Sequence, residues 1–564
     1  MDDRKILVAA ILVALVPCSI RSSAATYYVS SSNGNDSNNG LSPQSAWQSL
    51  DKISLQYPIR PGDQLLLNRG DVWDSQISLN VQGTAAAPIL LGSYGTGAKP
   101  VIYSDSHLRT WTPVSGHSGV FTTSLGYSVS PAGAYQHATP LTHVPNTTST
   151  CGGRICALTN PTDLNAYLST FTPGSWGYYV GALTTATWVK TLDGLPPTAV
   201  QIFHSQTIEV YNCKYLVIQD LDIRRSSTGI FVEGNSNNLT IRDNSLRDIL
   251  GIGIYLNGTG AASVNNVVED NTLTRTGNDA LYTLLGTGNI FRGNTISYVT
   301  NQVLGISTSG DQCGIGLQQS TNTTVEHNSI STTHGTCFDY YYETGSTVRY
   351  NFCNQPGTGG ATPHGTGLSV YYNIFDLGGH GSGINAVNTG SSPDLIYNNT
   401  FYATGGYALM GGDSVSDGGT GAIIFRNNVV QATSLYLMAR GDGSNEAGIN
   451  VSSDYNLFYT TGKQLFSNLG ISYSSFTDYQ TASGQDAHSI FLEPQFVSAP
   501  PTFAERFPLG ERAADFRLQS TSPGTRAGQN LQSAGFVGFT DQYVDYAGNP
   551  IPSGFWLPNM GAYQ

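Results

Sequence analysis

The residues best suited to chemistry are Asp279, Asp311, His334 and Asp339. They gather in one stretch of a 564-residue chain in which Asp, Glu, Lys and Arg make up only 11%. Two neighbouring carboxyl groups can share the roles of acid and base or nucleophile, the arrangement that hydrolyses glycosidic bonds. Repulsion between two adjacent carboxylates also raises the pKa of one, which suits a general acid. An imidazole beside them, His334, can tune or relay the proton. Around this group Tyr255, Tyr282, Gln318, Tyr341, Glu343 and His380 offer flat faces and hydrogen-bonding groups of the kind that hold sugar rings. The four are read as catalytic and the six as substrate-binding, with any metal left open. Singly, each has a duller reading: Asp in a Gly-rich turn usually bonds local backbone, and His364, after Pro363, reads as a loop residue. The clustering favours function over that alternative.

Those residues need a scaffold that stacks distant segments. A short β segment, an Asn and another β segment recur as IRDNSL, VVEDNTL, IFRGNTI, VEHNSI, VRYNFC, VYYNIF, IYNNTF, IFRNNVV and SDYNLF. The marker asparagines are Asn244, Asn271, Asn294, Asn328, Asn351, Asn373, Asn399, Asn428 and Asn456, at intervals of 27, 23, 34, 23, 22, 26, 29 and 28. Leu221 fills the same slot 23 residues before Asn244. Such a period without helical periodicity predicts a solenoid of β coils, each hydrogen-bonded to the next. Alternation, as in Ile252-Gly253-Ile254-Tyr255-Leu256, sends every second side chain into a narrow core. The marker Asn is expected to tolerate the unusual backbone angles of a bend and to bond its counterpart one coil away. The 34-residue interval reads as a 23-residue coil with about 11 residues inserted, Tyr298 to Gly310. Counted from the markers, Asp279, Asp311, His334 and His380 should line one edge of the solenoid. Glu233, Tyr255, Tyr282, Gln318, Asp339 and Tyr341 should form an outward row, with Glu343 at its end.

The Asn ladder and coil spacing resemble the right-handed parallel β-helices of the pectate-lyase and polygalacturonase group. The opening TYYVSSSNGNDSNNGLSPQSAWQSLDKI, with PGDQLLLNRGDVW and APILLGSYGTGAKPVI, is similar to the amino-terminal cap of secreted β-helix enzymes, and SSDYNLFY, EPQFV, DFRLQSTSPGTRAGQ and NMGAYQ resemble their ends. GDQCGIGLQ and GGHGSGI are loosely similar to the Asp-containing and Gly-His-Gly motifs of polygalacturonases, although the first lacks the paired Asp. The resemblance implies an all-β, right-handed parallel β-helix with amino- and carboxy-terminal caps, in a group that holds hydrolases, lyases, epimerases and binding proteins. The expected organisation is a signal peptide over 1–25, a cap and first coils over 26–110, and an inserted β decoration over 111–200. Regular coils then occupy 201–461 and terminal coils with a cap 462–564.

Arg4 and Lys5 before the apolar run Ile6 to Val16, with Ser23-Ala24-Ala25 after it, predict cleavage near Ala25 and a secreted product. The run is too short to span a bilayer. A net charge of −13 argues against nucleic acid as partner. The expected partner is a polysaccharide, the protein a monomer that does not act on membranes. Cys151 and Cys156, in CGGRIC, are expected to form a local disulfide, while the pairing of Cys213, Cys313, Cys337 and Cys353 stays open, a Cys313–Cys337 staple among the choices. The leading functional expectation is a glycoside hydrolase that needs no cofactor. A polysaccharide lyase is the second, with Ca²⁺ or Arg neutralising a uronate and His334 with Tyr341 moving the proton. A non-catalytic carbohydrate-binding or adhesion solenoid is the third.

Overall fold

The computed structural model describes residues 24–564 except 55–57, 105–109, 126–132, 138, 145–160, 181–184, 198–199, 204–205, 301–311, 379–380, 405–406, 412–420, 433–437, 441–449, 461–465, 499–515, 532–543, 550–557 and 564. Asp311, His380, the Cys151–Cys156 loop and all but the last two residues of the expected signal peptide lie outside the described residues.

Each coil lays one short strand on each of three 13-stranded sheets. In a representative coil, Val267–Glu269 lies on sheet I, Thr272–Thr276 on sheet II and Leu281–Leu284 on sheet III. Strands pair in parallel with those of the next coil, and sheet III closes on an antiparallel strand, Ile471–Tyr473. Alternation does what the sequence implies. In Ile254–Asn257 and Leu281–Leu284 the first and third residues are buried and the others half-buried. Inside, like residues stack upon like, as in Phe375 on Phe401 with ring centroids 5.0 Å apart. One continuous core runs from Tyr27 to Tyr479.

The marker asparagines form the corner between sheets I and II. The backbone N–H and the Nδ2 of Asn271 both donate to Asn294 Oδ1 (3.0 and 3.1 Å). Asn294 does the same to Asn328, and Asn328 to Asn351. The chain of bonds begins at the Leu221 N–H, which donates to Asn244, and reaches Asn456. Each Nδ2 also donates to a carbonyl behind it, as from Asn294 to Val268 O at 2.9 Å. A buried amide is thereby satisfied in both directions. The bend itself differs from expectation. The left-handed residue is the one before each Asn, among them Asp243, Asp270, Gly293, His327, Tyr350 and Tyr372, with φ between 53° and 66°. The Asn supplies hydrogen bonds, not the unusual angle.

Strands on sheet II carry a second left-handed residue, as at Asp248, Arg275, Tyr298 and Thr332. That residue drops out of the pairing register and turns the following one inward. Tyr298 and Val299 belong to such a strand, Thr295–Val299, with Val299 paired to Thr333. The extra residues of the 34-residue interval therefore start after Thr300, not at Tyr298. A second corner ladder, between sheets III and I, was not read from the sequence: the Asn266 N–H donates to Asn289 Oδ1 (2.9 Å), and further on the Thr323 N–H donates to Ser346 Oγ.

Between Val101–Tyr103 on sheet II and Gln206–Tyr211 on sheet III the chain leaves the coils. It forms a five-stranded and a three-stranded sheet and a short helix, Pro161–Ser169. This unit seats on the early coils through Tyr135, whose ring lies under the Arg225 guanidinium at 4.9 Å, and through Gly133 against Leu250. At the far end the helix Phe476–Ser483 stacks Tyr479 on Phe466 (4.3 Å) and covers the last coil. Cys337 and Cys353 are bonded, with Cα atoms 5.9 Å apart, and Cys213 and Cys313 are buried thiols. The Cys313–Cys337 staple is thus replaced by one to the following coil, because Cys337 and Cys353 both point into the core.

Candidate active site

The outer face of sheet III carries the candidate residues in two registers. Pairing runs Glu209, Phe231, Tyr255, Tyr282, Gly316, Asp339, Thr362, Asn385, one residue per coil. Two positions further along each strand lies a second row, in which Leu284, Gln318 and Tyr341 are neighbours. The single outward row expected from the sequence is therefore two rows, and Gln318 is not in the rung of Tyr282. The rows still meet, because the Tyr282 hydroxyl donates to Gln318 Oε1.

Gly316 opens a notch between Tyr282 and Asp339. A Cβ on it would lie 2.5 Å from Tyr282 Cδ2 and 3.2 Å from Asp279 Oδ2, so the absence of a side chain lets the ring and the carboxyl lean in. Asp279 sits in the turn from sheet II to sheet III and is 6% exposed. Its Oδ1 accepts the Cys313 N–H of the next coil at 2.9 Å, which swings Oδ2 over the notch. Asp339 follows Gly316 one rung on, half-buried, with Oδ1 accepting from the Thr362 hydroxyl. Asp279 belongs to the coil before Gly316 and Asp339 to the coil after it, with a rung of about 4.8 Å between neighbouring strands. Both act on one buried thiol. Burial first, then the charges of Asp279 and Asp339, push Cys313 well above its ordinary value, so it stays protonated.

His334 lies in the same type of turn as Asp279, two coils along and exposed, with its backbone N–H on Val299 O (2.8 Å). Tyr341 is exposed, packed edge-on to Tyr342 (4.5 Å) and 5.8 Å from the ring of His364. His364 is a strand residue, within Gly359–Thr366, and not a loop residue. Glu343 is off the face altogether. It is 1% exposed, accepts from Ser320 N at 2.7 Å and from Ser346 Oγ at 2.8 Å, and burial raises its pKa to about 7. The cause is a register shift between Tyr340 and Glu343, where Tyr341 and Tyr342 both turn outward and the glutamate turns into the corner. Thr362, Asn385 and Gly316 were missed, although for Thr362 a signal existed. Asn244 to Tyr255, Asn271 to Tyr282, Asn328 to Asp339 and Asn351 to Thr362 are all steps of eleven.

Sheet III also differs from its neighbours in charge. Several cations on the other two sheets are paired with carboxylates, as Arg292 with Glu269, Arg349 with Glu326 and Arg275 with Asp248. Among the described residues, the sheet III strands from Gln206–Tyr211 to Leu409–Gly411 contain no Lys or Arg. Among the described residues no group of three or more His, Cys, Asp or Glu side chains is placed to hold a metal ion.

The fold has solved counterparts. The complex of XylC with xylose superposes with a TM-score of 0.54 at 14% identity, over 79% of this chain and 86% of that one. The chain is a right-handed parallel β-helix, the fold of the pectate-lyase group. Pectate lyase Pel9A aligns over 96% of the β-helix chain and 97% of its own at 14% identity, with a TM-score of 0.41. Residues 197–419 of the β-helix match the family model described as periplasmic copper-binding protein (NosD), less than half of the chain. A lacto-N-biosidase of Bifidobacterium longum subsp. longum is 41% identical over 90 residues, 15% of the β-helix chain. The β-helix spans 6% of that enzyme's length.

Proposed function

We propose that this protein is an exported carbohydrate-active enzyme, a glycoside hydrolase whose carboxyl pair is Asp279 and Asp339. The observation that carries the reading is their convergence on the Gly316 notch, at the end of a row of aromatic rings on one face of the solenoid. A hydrolase would hold the pair about 5 Å apart for retention or about 6.5–9.5 Å apart for inversion. Asp279, with Oδ1 committed to the Cys313 N–H and Oδ2 over the notch, is assigned the acid that protonates the leaving oxygen. Asp339, in the open row and steadied by Thr362, is assigned the nucleophile or the base that activates water. Asp311 precedes Cys313 by two residues and keeps its proposed part in the same group. Tyr282 and Tyr341 provide faces for the sugar. The chemistry needs no cofactor. The biosidase similarity and the carbohydrate-active neighbours support the class, and the leader-like start supports export.

The test uses Asp279→Asn and Asp339→Asn on a panel of polysaccharides and aryl glycosides. Both variants should lose at least a thousandfold in kcat on a natural glycan with little change in Tm. Asp279→Asn should recover most of its activity on an aryl glycoside, whose leaving group needs no proton, while Asp339→Asn should not. Full turnover in both variants removes the assignment. Accumulation of unsaturated, ultraviolet-absorbing products in the wild type replaces it with a lyase.

A further inference from the structure

We infer that the substrate of this face is a neutral glycan chain, at least three to four sugars long, that runs from the carboxyl pair toward the amino-terminal coils and ends on a distal site built from Phe231, Tyr255, Glu233 and Glu209. The inference rests on the hydrolase reading for the position of the cleaved bond, but not for the binding site itself.

Three rings continue the row away from the notch. Tyr282 packs on Tyr255 (centroids 5.2 Å, 66°), and Tyr255 on Phe231 (5.2 Å, 51°). All three are half-buried, which leaves part of each ring open along the face. Such an inclined ladder of rings presents apolar surface to successive sugar faces. The row then ends in acid. Glu209 lies one rung beyond Phe231, and its Oε2 accepts from Ser78 Oγ at 2.8 Å and from Gln76 Nε2 at 3.3 Å. Glu233 shares the strand of Phe231, two residues on, and pairs with Tyr211, which is 47% exposed. Burial, and then the Glu209 charge, raises the pKa of Glu233. Carboxylates accept paired hydrogen bonds from vicinal hydroxyls, and among the described residues the sheet III strands around these two hold no Lys or Arg.

Length and charge follow from the same geometry. From Asp339 to Phe231 is four rungs, about 19 Å. A pyranose unit is close to one rung long, so the span takes three to four sugars. A uronate chain laid on this face would bring carboxylates against Glu209, Glu233, Asp279 and Asp339 with no Lys or Arg in the strands beneath. At these distances like charges repel, and nothing in the row offsets the cost. The face selects against the very substrates that pectate and alginate lyases are named for.

The experiment is calorimetric binding to full-length Asp339→Asn protein. The probes are cello-, xylo-, manno- and chito-oligosaccharides of two to six units, with oligogalacturonates as charged controls. One neutral series should bind with affinity that climbs to four or five units and then levels. Tyr255→Ala should remove at least tenfold of that climb, Tyr255→Phe should restore it, and Glu233→Gln should weaken the longest ligand about tenfold. Binding of oligogalacturonate above every neutral series overturns the inference, as does failure of all neutral series to bind or a climb that survives both Tyr255→Ala and Glu233→Gln. Turnover reports separately on the hydrolase reading. If Asp279→Asn and Asp339→Asn remain active while the length dependence holds, the carboxyl assignment falls and the binding site stands.

Discussion

Replacing Glu343 by Gln should make the protein more stable, and increasingly so as the pH rises. The carboxyl is walled into the corner between sheets III and I, with one oxygen on Ser320 N and the other on Ser346 Oγ. Burial is the largest cause of its shift, from an ordinary 4.5 to about 7. Between those two values the native protein holds a proton that the unfolded chain has already released. Stability is therefore full below about pH 4.5 and falls as the pH rises toward 7. At about 1.4 kcal/mol per pH unit the whole loss is about 3 kcal/mol, most of it between pH 5 and pH 8. Gln keeps the shape, accepts from Ser320 and donates to Ser346, yet it cannot ionise. Asp394 and Asp486 are also raised by burial and tilt the pH dependence the same way, so the informative quantity is variant minus wild type. Urea denaturation of both proteins at pH 5 and pH 8 should show the advantage of Glu343→Gln widening by about 2–3 kcal/mol. An advantage that stays constant, or narrows, would mean that Glu343 is ionised in the native corner and that the solvation argument is wrong.

Three further outcomes follow from particular contacts. Gly316→Ala sets a methyl 2.5 Å from the Tyr282 ring, so kcat on a glycan substrate should drop at least tenfold while Tm moves by only a few degrees; unchanged turnover would show that the notch is idle. Asn351→Ala removes the acceptor of two donors from Asn328 and the side-chain bond to the carbonyl of Val325, which should cost about 2–4 kcal/mol in chemical denaturation, against less than about 0.5 for an exposed Asn such as Asn235. Reduction of Cys337–Cys353, which closes 16 residues of sequence, should lower stability by about 3 kcal/mol, and a Cys353→Ser variant should lose its sensitivity to reductant.

The solenoid was legible because its physics repeats. One Asn per coil, followed by a strand of alternating burial, is enough to set the coil, the corner and the face to which Tyr255, Tyr282 and Asp339 belong. Asp279 and His334 fall in the predicted turn for the same reason. What failed did so where the period is locally broken. The register shift after Tyr340 moved Glu343 from the face to the corner, and counting by twos has no means of detecting such a shift. The left-handed residues escaped notice because Asp, His, Tyr and Gly all occupy that position and only its place before the Asn is constant. Cys337 with Cys353 was hidden because inward-facing cysteines pair by core geometry and not by proximity in sequence. The notch at Gly316 was the hardest to foresee, since a missing side chain leaves no residue type to notice.

The asparagine corner has a consequence for how such a molecule can change length. Every amide in it looks only one coil forward and one coil back, so no coil is tied to an absolute position along the axis. The segment from Ser329 to Asn351 is in this sense an interchangeable tile: it begins just after one corner Asn and ends on the next. A duplicate of it would meet Asn328 below and Phe352 above, as the original does, and would lengthen all three sheets together. Because that tile also carries Asp339, copying it would set a second carboxylate of the same kind one rung away. The protein is in effect a ruler with one marked division, and the mark can be moved along it without remaking the scale.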